Sequence, residues 1–308
     1  ALMCEFALDN KDEFRRVVVL DNPKKTLPSG WNVALREYKG DAIIKVDAHA
    51  VIPEDFVSKN VRVLETGEYI CGGQRPNIID KPTPFKETLL LAESSMFGSS
   101  IASYRNNPGK TYVKSLFHAA YRREVFEKVG FFNEELVRTE DNEIHYRMRK
   151  AGYKLCFDPD IISYQYTRSS LKAMLKQKYA NGYWIGKTSK VCPKCLSIYH
   201  FVPFAFVSAI IASGSVIGAT GLAECIKKRH NHTLGKGISA LRKVTVVLTT
   251  VMWVLYALMA SGMAAVSAFK AEDKRNITNA CLPVLFLLLH LSYGIGTIAG
   301  LMDKSKRG

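Results

Sequence analysis

Three long stretches hold no Asp, Glu, Lys or Arg: residues 201–223, 244–269 and 280–302. About 20 helical residues, at 1.5 Å each, cross the hydrocarbon layer of a bilayer, and every one of these stretches is longer than that. A core helix of a soluble protein rarely runs so far without a charge, so the expectation is a membrane region over residues 197–308. None of the three has the position of a signal peptide. Between the first two lie Lys227, Lys228, Arg229, Lys236, Arg242 and Lys243 against Glu224 alone, a balance that favours the cytoplasmic side. If residues 1–200 are cytoplasmic as well, the first stretch has to enter and leave on one face. Pro203 and its glycines then predict a bent or re-entrant segment.

The basic surplus, 43 Lys+Arg against 28 Asp+Glu, invites a search for a polyanionic partner. No recognition helix, zinc finger or RNA-binding signature accompanies it, so nucleic acid is not the expected one. Lys172, Lys176, Lys178, Lys187, Lys190 and Lys194 crowd the approach to the membrane, where attraction to anionic lipid is worth about 1 kcal/mol each. A nucleotide-phosphate substrate would be drawn by the same field. The seven cysteines are odd in number and scattered, which implies a reducing compartment and no disulfide framework. Cys192-Pro-Lys-Cys195 is half of a zinc-ribbon spacing without its second half.

Residues 1–196 read as an alternation of strands and helices, hence a mixed α/β domain. Residues 16–20 are β-rich and end in the turn signal Asp21-Asn22-Pro23, and a helix is expected through Trp31 and Leu35. Strands are expected at 42–46, 69–71, 111–118, 155–157 and 161–166. Pro53-Glu54-Asp55 reads as a helix start. The segment 140–150 is acidic first and basic last, as a helix with a complemented dipole should be, and Gly152 closes it. Residues 169–184 form an amphipathic juxtamembrane helix with Leu171, Met174, Leu175 and Tyr179 on one side. The chain starts on Ala, and its first β-rich run leads into a loop rather than opening a fold; a preceding portion of the domain is expected.

Two clusters carry chemistry. Asp47-Ala48-His49 closes a strand, where alternate side chains share a direction and open α/β sheets bind ligands. A carboxylate and an imidazole there suit Mn²⁺ or Mg²⁺ held with a substrate phosphate, although Asp47 could equally begin a turn with His49 at the surface. In Thr139-Glu140-Asp141-Asn142-Glu143 the acids could serve only the helix dipole, with Glu143 paired to Arg147. A carboxylate beside a crevice could also take a proton from an attacking hydroxyl.

In order, Asp47-Ala48-His49, Cys71-Gly72-Gly73, residues 95–100 with Tyr104-Arg105, residues 120–126 with Val129-Gly130, Glu140-Asp141, Arg147 with Gly152-Tyr153, and Gln177 before Gly182 resemble the family 2 glycosyltransferases. The closest similarity is to membrane-anchored, succinoglycan-type glucosyltransferases of bacterial exopolysaccharide assembly, over residues 16–205. The resemblance implies a Rossmann-like GT-A fold lacking its opening strand. It also implies a nucleotide-diphospho-sugar donor (UDP-linked), a divalent cation, and inverting transfer of one sugar to a lipid-linked saccharide. It assigns Asp141 as base and Asp47 with His49 to nucleotide and metal. Asn22 and Arg168 fall on the donor side, and Glu140, Gln177 and Gly73 on the acceptor side. Ala180 stands where processive synthases of the family carry Arg, which disfavours processive polymerisation; the alternative readings are a non-catalytic membrane scaffold with a degenerate transferase domain and a processive polysaccharide synthase. The implied place is the bacterial inner membrane, multi-pass, with the catalytic domain cytoplasmic.

Overall fold

The computed structural model describes residues 2–98, 109–229, 235–271 and 276–305. An exposed helix α1 (Leu2–Asp9) precedes α2 (Leu27–Glu37), β1 (Ala42–Ile44), β2 (Ala50–Val51), α3 (Phe56–Glu65), β3 (Ile70–Gln74), β4 (Asn77–Ile78) and α4 (Pro84–Ser94). Then come β5 (Thr111–Val113), β6 (Ala120–Arg122), α5 (Arg123–Val129), α6 (Glu140–Lys150), β7 (Leu155–Ile162), β8 (Tyr164–Tyr166) and α7 (Leu171–Val191). Three long helices close the chain: α8 (Val202–Arg229), α9 (Lys236–Lys270) and α10 (Leu282–Met302).

The main sheet has the order β1-β6-β3-β7-β5, with β3 and β7 parallel and the other pairs antiparallel; β2-β8-β4 form a smaller sheet. The two-residue period of strands sorts the core onto two faces. Ile70, Tyr121, Leu155 and Phe157 pack with Ile144 and Met148 of α6, while Cys71, Ala120 and Cys156 pack with Phe56, Val63 and Leu64 of α3. The register slips between Gly72 and Gln74, and there β7 runs so close that a Cβ on Gly73 would lie 1.9 Å from the Ile161 carbonyl oxygen. Gly73 is thus a requirement of the bulge.

Several local expectations differ from the structure: the strand expected over 111–118 keeps only its first three residues as β5, and the helix expected over 169–184 extends to Val191 as α7. Residues 16–20 are irregular, with Val18, Val19 and Leu20 exposed, because no strand among the described residues pairs with them. The strands expected at 155–157 and 161–166 are redivided: β7 runs unbroken through Pro159 to Ile162, and Ser163 turns the chain into β8 of the second sheet.

Helices reaching over Ile198–Lys227, Lys236–Lys270 and Ile277–Met302 are long and apolar enough to cross a membrane. The first runs as one continuous helix, α8. Pro203 sits in the first turn of α8, where its missing N–H costs nothing, and Gly214 and Gly218 leave the helix continuous. The third differs from the others in burial: 39% of its apolar window is covered, against 6% for each of the other two. Its cover is mainly α7, the basic juxtamembrane helix, and α7 lies alongside it in the same direction. Ser292 Oγ donates to the Leu175 carbonyl at 2.8 Å, Tyr179 backs Gly296 and Tyr183 backs Gly300. Added Cβ atoms at Gly182, Gly296 and Gly300 would lie 2.0, 2.1 and 2.0 Å from carbonyl oxygens of the facing helix. Small residues four apart on both helices let the backbones meet, as in membrane helix pairs generally. Lys190 Nζ then donates to the Asp303 carbonyl at 2.9 Å, fastening the far end.

Gly182→Val should lower the stability of the chain in detergent by about 1–3 kcal/mol through overpacking, whereas Gly214→Val, with nothing within 4 Å, should leave it unchanged. Thermal unfolding of both variants checks this; equal melting temperatures would remove the seam between α7 and α10 as a source of stability.

Candidate active site

Beyond β1 the chain stays extended for three residues, with the Lys45 N–H donating to the Ala119 carbonyl at 3.0 Å, and then turns at Asp47, whose carbonyl accepts from Ala50 N–H at 3.0 Å. Extended geometry therefore places Lys45 and Asp47 on one side and ends before His49. Asp47 lies in the interior. Its Oδ2 is 3.7 Å from His118 Nε2, and its Oδ1 is buried without a hydrogen-bond partner. His49 is exposed in the turn, its Nε2 2.7 Å from the side-chain nitrogen of Gln165.

Lys45 is the centre of the site. Its ammonium is buried, pairs with Asp141, lies 3.9 Å from Glu140 Oε1, and sits 5.3 and 5.6 Å from the ring centroids of Trp31 and Phe132. Glu140 and Asp141 open α6, whose preceding Thr139 hydroxyl meets the Thr188 hydroxyl of α7. The amphipathic helix α7 thus contacts the residue at which α6 begins. One turn on, His145 is buried between Tyr121 Oη (2.8 Å) and Ser115 Oγ (3.1 Å), and burial pushes its imidazole down to about 4, so it is neutral. Glu143 is bound by Arg147 at 2.6 Å, and Arg147 also donates to the Val129 and Phe131 carbonyls, a structural role for both.

One buried ammonium faces several carboxylates, and the balance is uneven. Burial would lower the Lys45 ammonium, but Asp141 and Glu140 outweigh it and raise it. Burial would raise the Asp47 carboxyl, but His118 and Lys45 outweigh it and hold it below the usual range. Glu140 is pushed up to about 8, first by burial and then by the neighbouring Asp141 charge. Both causes favour its protonated form.

The remaining sequence-derived residues occupy supporting places. Asn22 accepts from Ser29 Oγ at 2.7 Å and donates to the Thr26 carbonyl at 2.8 Å, closing the loop into α2. Arg168 follows β8 beside Arg138, whose guanidinium is pushed down by burial and by Arg168; Arg138 donates to Asn181 of α7 at 3.0 Å. Gln177 lies on α7 with its Oε1 buried and unpartnered. Ser99, Ser100, Tyr104 and Arg105 lie outside the described residues. Lys45, Trp31 and His118 were not singled out from the sequence, although a lone lysine in Ile43-Ile44-Lys45-Val46, two residues before an acid, was a readable signal.

For Mn²⁺ or Mg²⁺ the fit is partial. The orphaned, buried Asp47 Oδ1 suits a cation, but His49 is turned to Gln165 at the surface. Among the described residues no three His, Cys, Asp or Glu side chains converge as ligands.

The profile described as Glycosyl transferase family group 2 matches residues 42–296, which includes both clusters, α8, α9 and most of α10. Succinoglycan biosynthesis protein ExoA of Rhizobium meliloti is 28% identical over 172 residues, covering 54% of this chain and 51% of that protein. A dolichyl N-acetyl-alpha-D-glucosaminyl phosphate 3-beta-D-2,3-diacetamido-2,3-dideoxy-beta-D-glucuronosyltransferase of Methanococcus voltae is 24% identical over 212 residues, 67% of this chain and 64% of that one. O-antigen chain rhamnosyltransferase RfbN of Salmonella typhimurium is 29% identical over 133 residues, 41% of this chain and 42% of that one. The chain thus spans from under half to just under two thirds of the length of these curated relatives.

The raised carboxyl of Glu140 gives a pH test. The stability it contributes is complete below its ordinary value of 4.5 and is lost as pH rises toward about 8. Between pH 5 and 8 the melting temperature of the wild type should fall relative to Glu140→Gln by at least about 3 °C. A constant difference across that range would mean that Glu140 is ionised in the fold.

Proposed function

The chain belongs to the family 2 glycosyltransferases, and from that we propose that it moves one sugar from a nucleotide-diphospho-sugar, UDP-linked, to a hydroxyl of a lipid-linked saccharide, inverting the anomeric centre. The observation that carries this reading is the convergence of Asp47 and the Glu140-Asp141 pair on one buried ammonium, Lys45 and Asp141 being 96 residues apart in sequence. A structural helix cap would not need such a partner.

In this reading Asp141 is the general base. Its side chain is 21% exposed, against 4% for Glu140, so it is the carboxylate an acceptor can reach. Lys45 holds it in place while it removes the proton from the acceptor hydroxyl, whose oxygen then attacks the anomeric carbon as the nucleoside diphosphate leaves. Glu140, in the protonated form that its surroundings favour, can donate a hydrogen bond on the acceptor side. Asp47 faces the donor side, where a bound divalent cation would neutralise the departing diphosphate. The two guanidiniums of Arg138 and Arg168 add positive charge for the same phosphates. Asn22 and Gly73 act through the loop and the bulge they build, and Gln177 lies on the helix that leads to the membrane.

The three long apolar helices support the location proposed here, the bacterial inner membrane, crossed more than once, with the catalytic domain on the cytoplasmic side. A lipid-linked acceptor confined to the same bilayer meets the site at high effective concentration. The names of the relatives, a succinoglycan biosynthesis protein and an O-antigen rhamnosyltransferase, support assembly of an exopolysaccharide or other cell-surface polysaccharide.

Asp141→Asn should lower kcat by more than a hundredfold while the donor KM stays within threefold, because the base is lost and the donor contacts remain. Release of nucleoside diphosphate from a panel of nucleotide sugars, with a lipid-linked acceptor present, measures both. Turnover within tenfold of wild type would overturn the assignment.

A further inference from the structure

A cleft of about 610 Å³ opens at the end of α6 remote from Asp141, within the size range of ligand pockets. Asp141 stands in the first turn of this helix and the cleft begins at Ala151, just past its last residue, so about 15 Å of helix separates the two. Three parts of the chain supply the walls: Glu68-Tyr69 before β3, Glu124 and Lys128 of α5, and Tyr153-Lys154 before β7. Gly152 takes φ +95 between α6 and β7, a left-handed conformation that a side chain resists, and this turn brings Tyr153 to the cleft. None of these residues takes part in the transfer described above.

The chemistry of the walls narrows the ligand. The rings of Tyr69 and Tyr153 have centroids 5.3 Å apart and planes inclined at 54°, and Tyr69 keeps 43% of its surface exposed. Such a pair offers a rigid apolar surface in an otherwise polar recess. The lining charges balance, Glu68 and Glu124 against Lys128 and Lys154, so neither an anion such as a nucleotide nor a cation is favoured by the field. The attraction of the rings for cations is already used: Lys128 Nζ lies 5.1 Å from the Tyr153 centroid and the Arg122 guanidinium 5.9 Å from that of Tyr69. Arg122 is held there by the Leu64 and Glu68 carbonyls, to which it donates at 2.7 and 3.0 Å. A neutral ligand that combines apolar C–H faces with many hydroxyls meets these conditions. A pyranose does so, its C–H face packing on a tyrosine ring while its hydroxyls donate to carboxylates and accept from ammoniums.

We propose that this cleft is a non-catalytic subsite for neutral saccharide, holding sugar units that lie away from the reacting hydroxyl. The length of α6 is too great for a single sugar to fill the cleft and meet Asp141 at once, so the ligand that uses both is a chain of several sugars. Such a chain has two sources of the same chemistry, the lipid-linked acceptor and the finished polysaccharide. The proposal rests on the glycosyltransferase reading for why a chain reaches the cleft, but not for the binding itself.

Isothermal titration calorimetry of the full chain in detergent, with cellopentaose, laminaripentaose and an acidic hyaluronan hexasaccharide, tests this. A neutral pentasaccharide should bind, Tyr69→Ala should weaken it tenfold or more and Glu124→Gln threefold or more. Asp141→Asn, at the other end of α6, should leave the affinity within twofold of wild type. Glu124 is exposed on α5, so its variant decides the matter if Tyr69→Ala fails to fold. Binding of neither neutral saccharide, tighter binding of the acidic one, or unchanged affinity in both cleft variants would overturn the proposal. A KM that rises in Tyr69→Ala for a long lipid-linked acceptor and not for a short one identifies the acceptor as the source; lost binding with both KM values unchanged identifies the finished chain. Sugar transfer by a protein whose cleft binds no saccharide would overturn the subsite and leave the enzymatic reading intact. Saccharide held through Tyr69 in a protein that accepts no nucleotide sugar would do the reverse.

Discussion

A lysine ammonium enclosed by aromatic rings has to be neutralised, and the need to neutralise Lys45 organises the centre of this protein. The end of β1 and the first turn of α6 are far apart in sequence and come from different layers of the domain, yet both must deliver charge to one point. Breaking a buried pair by removing one partner costs about 3–5 kcal/mol, so the strand end and the helix start are held in register by the same contact that makes the site chemically useful. The neighbouring acids are consequently unequal. Asp141 has the ammonium, and Glu140 is pushed toward its protonated form. Two adjacent carboxyl groups acquire different chemistry from one cation.

A second constraint sets where that centre lies. Thr139, immediately before the paired acids, meets Thr188 on α7, and glycines on both helices bring the α7 and α10 backbones close together. Charge placement in the active site and packing in the apolar region are thus joined through a single helix. The lysines of α7 divide accordingly: Lys178 is buried with Glu93 at 3.6 Å, Lys187 and Lys190 bind the segment after α10, and Lys172 and Lys176 stay free to meet lipid headgroups.

Much of this could be read before any coordinates. The three apolar stretches, the acid-first and base-last pattern of α6, the strand before Asp47 and the ordered motifs all depend on local composition, which a sequence displays directly. The misreadings have a common cause in contacts that a sequence does not display. Residues 16–20 have strand propensity but no neighbouring strand. His49 looked like the partner of Asp47 on spacing alone, but the turn at Asp47 carries it to the surface, and His118, 71 positions further on, takes the place beside the carboxylate. Lys45 is legible only in retrospect, since a buried lysine declares itself through its partners.

The glycine seam between α7 and α10 has a geometric consequence for catalysis. A domain riding on a loose tether could tilt and rise, sampling hydroxyls at many distances from the lipid surface. Here α7, which meets Thr139 at the start of α6, packs closely along the apolar α10, so in the proposed reading the base would keep one height over the bilayer. Under that reading, an acceptor anchored in the same bilayer would be measured as by a ruler, the number of sugars already attached deciding whether its terminal hydroxyl comes level with Asp141.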